Sequence, residues 1–114
     1  MKSAKLYVLV RKDLSPGQQA VQSGHAVAEY LQQHETPWDN GILVYLGVKN
    51  LLQLEKWENF LKSEEVAYSK FYEPDIDQET SLSFVYDSER RDSITNKLSK
   101  LNLTLSQNVP CNNL

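Results

Sequence analysis

Two spacings of apolar residues alternate along the chain, and their order predicts the order of strands and helices. Residues 6–10 and 42–48 are short, almost continuous apolar runs, which are typical of strands inside a sheet. The run at 42–48 is nearly all apolar, which predicts a central strand. Residues 66–72 resemble a third strand, and apolar and polar positions alternate over residues 81–86, which predicts a fourth.

Helices are predicted after the first, second and fourth strands, and each follows a residue that can cap it. Ser15 followed by Pro16 marks the start of the first helix, and Asn50 and Ser88 are the expected N-caps of the other two. Apolar side chains recur at helical spacing in all three. In chain order they are Ala20, Val21, Gly24, Val27, Ala28 and Leu31, then Leu51, Leu54, Trp57 and Leu61, then Ile94, Leu98 and Leu101.

This order of elements predicts an α/β fold. Helical crossovers join parallel strands, whereas the short loop between the third and fourth strands favours an antiparallel pair. We therefore expect a three-layer α/β/α arrangement in which helices cover both faces of a mixed four-stranded sheet. The length of 114 residues suits one core. Residues 1–103 are expected to form that single domain, and residues 104–114 a loosely held C-terminal tail.

Composition excludes several classes of protein. Hydrophobic residues make up 40% of the chain and charged residues 24%, which is typical of a globular domain. No apolar run approaches the ~20 residues that span a bilayer, and Arg11 and Lys12 end the first apolar run too soon for a signal peptide. Cys111 is the single cysteine, which excludes an internal disulfide framework and a thiolate metal cluster. The expectation is a cytoplasmic protein that uses no membrane, metal or other cofactor.

The balance of charge limits contact with nucleic acid. The formal net charge is −3, which argues against a broad nucleic-acid surface because phosphate contacts need clustered lysine and arginine. A local basic patch is present near the start of the chain, formed by Lys2, Lys5, Arg11 and Lys12. This patch either receives a phosphate backbone or only provides solubility, and the sequence leaves both alternatives open.

A polar stripe on the first helix is the best candidate for a site. Gln18, Gln22, His25 and Glu29 share one edge because residues three and four apart are neighbours on a helix. The stripe begins at the carboxyl end of the first strand, where open α/β sheets commonly bind ligands. His25 can bind a phosphate or move a proton, and Gln22 can orient a substrate carbonyl. The structural alternative is a helical histidine that is hydrogen-bonded to a nearby carbonyl.

Residues 10–26, VRKDLSPGQQAVQSGHA, resemble the opening motif of the type II peptidyl-tRNA hydrolases. The family pattern is roughly V-R-x-D-L, a turn rich in Gly and Lys, and A-A-Q-x-x-H-A. The matching residues are Val10, Arg11, Asp13, Leu14, Gly17, Ala20, Gln22, His25 and Ala26. The resemblance implies the same α/β fold. It also implies cleavage of the ester between a peptide and the tRNA 3′ ribose by activated water, without a metal.

The resemblance also implies which residues form the site. The catalytic set is Asp13, Gln22, His25, the loop carboxylates Glu73 and Asp75, of which either one can take the family role, and Thr80. The substrate-binding set is Gln18, Arg11 and Lys12. From the residues alone, Asp13 can equally cap its turn, and the acidic stretch of residues 73–80 can equally be a solvated hairpin loop.

One departure from the family pattern leaves two functions open. The family turn carries a lysine, usually placed among the catalytic residues, seven positions before the histidine; Gln18 occupies that position here, in a turn about two residues shorter. The first function is a peptidyl-tRNA hydrolase. The alternative is a catalytically weak or inactive relative that binds a nucleotide, a tRNA end or a protein. The oligomeric state is open, with a homodimer as one alternative.

Overall fold

The computed structural model describes residues 4–35 and 38–104. The order of elements is the predicted one. The strands are β1 (Ala4–Arg11), β2 (Leu43–Val48), β3 (Ser69–Glu73) and β4 (Gln78–Asp87), and the helices are α1 (Pro16–Gln33), α2 (Leu51–Ser63) and α3 (Ser93–Leu98). Of the tail expected at residues 104–114, residues 105–114 lie outside the described residues. No helix in the described ranges is long and apolar enough to cross a membrane.

The four strands form one mixed sheet in the order β2-β1-β4-β3. Strand β1 is parallel to β2 and antiparallel to β4, and β3 is antiparallel to β4. The expected α/β fold with a mixed four-stranded sheet is therefore confirmed.

The central position predicted for the second strand is wrong, because β2 lies at the edge of the sheet. Its outer side is partly covered by the segment after α3. Leu103 forms an antiparallel bridge with Leu46, and the Thr104 amide donates to the Tyr45 carbonyl at 2.8 Å. An apolar strand is tolerated at this edge because that segment takes up some of its backbone hydrogen bonds.

Each face of the sheet carries its own hydrophobic core. The larger core packs α2 and α3 on one face, and its buried members are Tyr7, Leu9, Leu46, Val48, Leu54, Trp57, Leu61, Leu82, Phe84, Tyr86, Ile94 and Leu98. The smaller core packs α1 on the other face, through Leu6, Val8, Val10, Ala26 and Tyr30. The helices thus cover both faces, and α1 stands apart from α2.

Helix α1 packs on the sheet through a different face from the predicted one. The apolar edge expected to be buried is mostly exposed, and its residues Val21 and Leu31 are 52% and 50% exposed. The buried residues are Gln19, Gln22, Ser23, Ala26 and Tyr30. Serines of β4 explain the difference, because the Ser81 and Ser83 hydroxyls donate to the carbonyl oxygens of Gln22 and Ala26 at 2.9 and 2.7 Å. The helix therefore turns to the sheet a mixed face of polar and apolar residues in place of its apolar edge.

Two element boundaries also differ from the prediction. The N-cap of the last helix is Asp92 rather than Ser88, because the Asp87 side chain accepts the Glu89 amide and holds the chain in a turn there. Strand β3 begins at Ser69 rather than at residue 66. The preceding residues end α2 instead, since Glu65 has a φ of 58° and the Val66 amide bonds back to a helix carbonyl.

Candidate functional site

A cleft of about 410 Å³ lies between the amino-terminal half of α1 and the loop that joins β3 to β4. Its lining residues are Leu14, Gln18, Val21, Gln22, His25, Glu73, Asp75, Ile76 and Thr80. The polar members come from two parts of the chain that are far apart in the sequence: the first turns of α1, and the β3–β4 hairpin from the end of β3 to the start of β4. The structure therefore brings together Gln18, Gln22, His25, Glu73, Asp75 and Thr80.

Gln22 is the centre of the hydrogen-bond network in this cleft, and only 1% of it is exposed. The Thr80 hydroxyl donates to Gln22 Oε1 at 2.8 Å. Gln22 Nε2 donates to Glu73 Oε2 at 2.9 Å and to Gln18 Oε1 at 3.1 Å. An ionised carboxylate only accepts hydrogen bonds, so the end of the Gln22 amide that contacts Glu73 must be the nitrogen.

A β-bulge in β4 directs Thr80 toward the cleft. In the pairing of β3 with β4, Phe71 opposes Ser81 and Tyr72 opposes Glu79, so Thr80 is the extra residue. In a regular strand, consecutive side chains point to opposite faces. Here both Thr80 and Ser81 reach α1, since one donates to the side chain of Gln22 and the other to its backbone carbonyl.

Hydrogen bonds keep the Glu73 carboxylate in its charged form. The Gln22 amide donates to one oxygen, and the Asp75 backbone N–H donates to the other at 3.3 Å. These two bonds, the first being the larger effect, lower the pKa of Glu73 below the ordinary value for a glutamate. Glu73 is therefore ionised at neutral pH, and it is a weaker proton acceptor than an ordinary glutamate.

His25 lies flat against Phe71 on the wall of the cleft. The two ring centroids are 4.2 Å apart and the ring planes differ by 5°. The histidine is exposed, and within the described part of the chain neither ring nitrogen takes part in a hydrogen bond. The ring is thus oriented by stacking, and both nitrogens are available to a ligand. Sequence reasoning missed Phe71, whose apolar position in a strand gave no sign of a contact with α1.

Arg11 and Asp13 lie outside this cleft and bind each other. The guanidinium donates to both carboxylate oxygens of Asp13, at 3.0 and 2.9 Å, and to the Gln78 side chain at 2.6 Å and the Glu79 carbonyl at 3.2 Å. Arg11 is only 7% exposed. The hydrogen bonds from Arg11 lower the pKa of Asp13. The pair therefore joins the end of β1 to the start of β4.

Lys12, also implied by the resemblance to bind substrate, lines a different groove at the ends of β1 and β2. Of the remaining members of the predicted basic patch, Lys5 lies within β1 and Lys2 lies outside the described residues. Among the residues that the structure describes, the side chains that line the cleft itself include two carboxylates and neither lysine nor arginine. Within the described ranges, no group of three or more His, Cys, Asp or Glu side chains is placed to hold a metal ion.

Comparison with known proteins bears on the fold. No protein-family model and no curated protein matches the chain. Among solved structures, the chain is similar to a protein of unknown function from Agrobacterium tumefaciens strain C58, with a TM-score of 0.54 and 17% sequence identity. The match covers 90% of this chain and 98% of that one. The two proteins therefore share one α/β fold over nearly their whole described lengths.

Proposed function

We propose that this protein is a slow hydrolase of the ester that joins a peptide to the 3′ ribose of tRNA. The observation that supports this function is the convergence of Gln22, His25, Glu73 and Thr80 on one cleft. The motif of residues 10–26 supplies only the first two of these residues. The other two come from the end of β3 and the start of β4, more than forty residues further along the chain, at positions to which the resemblance gives matching roles.

The side chains of the cleft can divide the work of ester hydrolysis. Glu73 accepts a proton from a water molecule as that water attacks the ester carbonyl carbon. Gln18 uses Oε1 to accept the bond from Gln22, so its Nε2 hydrogens are left to stabilise the oxyanion. His25, charged by a proton taken up from solvent, gives that proton to the departing ribose oxygen, and Glu73 afterwards releases to solvent the proton it accepted. The products are the peptide carboxylate and the free 3′ hydroxyl.

Two features of the cleft favour a slow reaction. Gln18 provides a neutral donor where the resembled family has a lysine, and charge-assisted hydrogen bonds are about twice as strong as neutral ones. Removing one oxyanion donor from an enzyme costs about 10²–10³ in rate. In addition, the lowered pKa of Glu73 weakens it as a proton acceptor.

A second candidate is binding without turnover, and the lining of the cleft favours it. Glu73 and Asp75 line the cleft together with the exposed apolar side chains of Val21 and Ile76. A peptide or protein segment with a basic group beside an apolar one suits such a surface better than the anionic end of a tRNA does.

Single-turnover hydrolysis of an N-acetylaminoacyl-tRNA at low salt tests the proposal. We expect a rate above that of the spontaneous reaction, and we expect Gln22→Ala and Glu73→Gln to abolish the excess. Glu55→Gln is the matched control, because Glu55 is an exposed glutamate on α2. If the rate equals the spontaneous one while a basic peptide perturbs the amides of Gln22 and Glu73, the second candidate replaces the first. If neither is seen, both are wrong.

A further inference from the structure

A second groove opens where the chain leaves two neighbouring parallel strands toward opposite faces of the sheet. Strand β1 leads to α1, which packs on the smaller core, whereas β2 leads to α2, which packs on the larger one. Where successive connections diverge in this way, a crevice forms outside the carboxyl ends of the strands, and α/β proteins bind ligands there. The register pairs Arg11 with Val48, so Lys12 and Lys49 leave the sheet side by side.

Three lysines line this groove, which has a volume of about 390 Å³. Lys12 and Lys49 follow the two strands, and Lys100 comes from the segment after α3, which the bond from the Gly47 amide to the Asn102 carbonyl holds against β2 at 2.9 Å. None of the three lysines forms an ion pair with another described residue.

The negative charge at this groove is already neutralised. Asp13 also lines it, but both of its carboxylate oxygens accept hydrogen bonds from the Arg11 guanidinium. The three ammonium groups therefore give the groove an uncompensated positive charge, in a chain whose formal net charge is −3.

Two further features suit the groove to a polar anion. The Gln53 side-chain oxygen accepts the backbone N–H of Lys49, so the Gln53 Nε2 is left to donate to a ligand. Gly47 makes room for Lys12, since a Cβ at position 47 would lie 2.5 Å from the Cγ and Cδ atoms of that lysine. The Lys12 side chain thus lies across the end of β2 only because residue 47 has no side chain.

We propose that this groove binds a phosphate group. Several ammonium and amide donors around one crevice match an anion that has multiple acceptor oxygens and more than one charge. An RNA backbone and a small phosphorylated molecule share that chemistry. The site is separate from the cleft on α1, and the inference does not depend on hydrolysis of peptidyl-tRNA.

Titration of pyrophosphate into the ¹⁵N-labelled protein tests the site directly. We expect saturable shifts of the backbone amides of Lys49, Gln53 and Asn102, without shifts at Gln22 or His25. Chloride at matched ionic strength should not reproduce them.

Substitutions then assign the binding to the lysines. The double variant Lys12→Gln/Lys49→Gln should weaken pyrophosphate binding about tenfold or more, because hydrogen bonds from charged groups are the strong ones. The matched control is Lys56→Gln/Lys62→Gln, which removes the same charge from exposed positions on α2 and should leave the affinity within about twofold. Gly47→Ala keeps every charge but displaces the Lys12 side chain, so an intermediate loss is expected.

Binding of single-stranded RNA, followed by fluorescence anisotropy over a range of salt, identifies the source of the phosphate. If it is RNA, pyrophosphate competes with the oligonucleotide, and each lysine removed lowers the salt slope by about one. If the phosphate belongs to a small molecule, pyrophosphate binds to the groove, and the affinity for RNA is the same in the unmodified protein and in Lys12→Gln/Lys49→Gln. The inference is overturned if neither probe shifts the groove amides, or if the Lys12→Gln/Lys49→Gln variant, folded by circular dichroism, binds both as the unmodified protein does.

Discussion

The Thr80 hydroxyl donates a hydrogen bond to the Gln22 side chain at 2.8 Å across a separation of 58 residues. Both residues are buried, and the bond fixes the amide that in turn holds Glu73. Thr80 therefore orients the carboxylate of the cleft through Gln22.

Thr80→Val keeps the shape of the side chain and removes this donor. The Gln22 oxygen is then buried without its partner, which costs about 1–3 kcal/mol in the free energy of unfolding. Urea denaturation measures the loss, and Thr80→Ser, which keeps the hydroxyl, serves as the comparison. A valine variant as stable as the unmodified protein would contradict the importance of the bond.

His25→Ala separates a role in the cleft from a role in packing. The histidine is exposed and contacts Phe71 by stacking, so its removal should cost about 0.5–1.5 kcal/mol. Leu54→Ala and Phe84→Ala, at positions that are 2% and 0% exposed, should each cost about 2–5 kcal/mol. Thermal unfolding compares the stability of the three variants. Hydrolysis or ligand binding should be lost in His25→Ala, although it is the most stable of the three, and kept in the two core variants at temperatures where they are folded. Equal losses of stability in His25→Ala and Leu54→Ala would instead assign the histidine to the core.

Gln18→Lys tests the residue that departs from the resembled family. The new ammonium would lie close to Gln22 and to the developing oxyanion, so we expect the single-turnover rate on peptidyl-tRNA to rise. The gain should be modest, because the turn before α1 is shorter and displaces the charge. Rapid hydrolysis by the unmodified protein that Gln18→Ala leaves unchanged would show that the chemistry proceeds without this position.

The pH dependence of the cleft should follow from the lowered pKa of Glu73. Because this pKa is lowered in the folded state, the stabilising effect of the ionised group is present above the ordinary glutamate pKa and is lost as the pH falls through the folded value. Hydrolysis should persist into mildly acidic solution for the same reason. Gln22→Ala removes the main cause of the shift, so carboxyl ¹³C titration should then give a higher pKa for Glu73. An unchanged titration would show that another group lowers it.

The order of strands and helices could be predicted from the sequence because apolar spacing reports it directly. The buried face of α1 could not be predicted, because a hydrophobic pattern places apolar residues such as Ala20 and Leu31 inside and polar residues such as Gln22 and Ser23 outside. The structure has the reverse. Polar residues are buried there because hydroxyl groups on β4 satisfy the helix carbonyls, and those partners lie almost sixty residues away.

The candidate site could be predicted in part for a similar reason. The motif identified Gln22 and His25, and the resemblance pointed to Glu73 or Asp75 and to Thr80. The bulge that turns Thr80 toward the helix depends on the pairing of β3 with β4, and no local sequence pattern predicts it. The hydrogen bond from Arg11 to Gln78 at the start of β4 likewise joins segments that are distant in the sequence.

The two serine contacts between β4 and α1 fix the position of the helix along the strand. Ser81 and Ser83 are two residues apart on a strand, a rise of about 6.6 Å, while Gln22 and Ala26 are four apart on a helix, a rise of about 6 Å. These distances match only when the helix runs along the strand in one register and one direction. A purely hydrophobic contact would allow the helix to slide along the strand, whereas these two hydrogen bonds can form together at one position only. One residue inserted between these paired positions should therefore displace Gln22 from Thr80, whereas the loops should tolerate an insertion better.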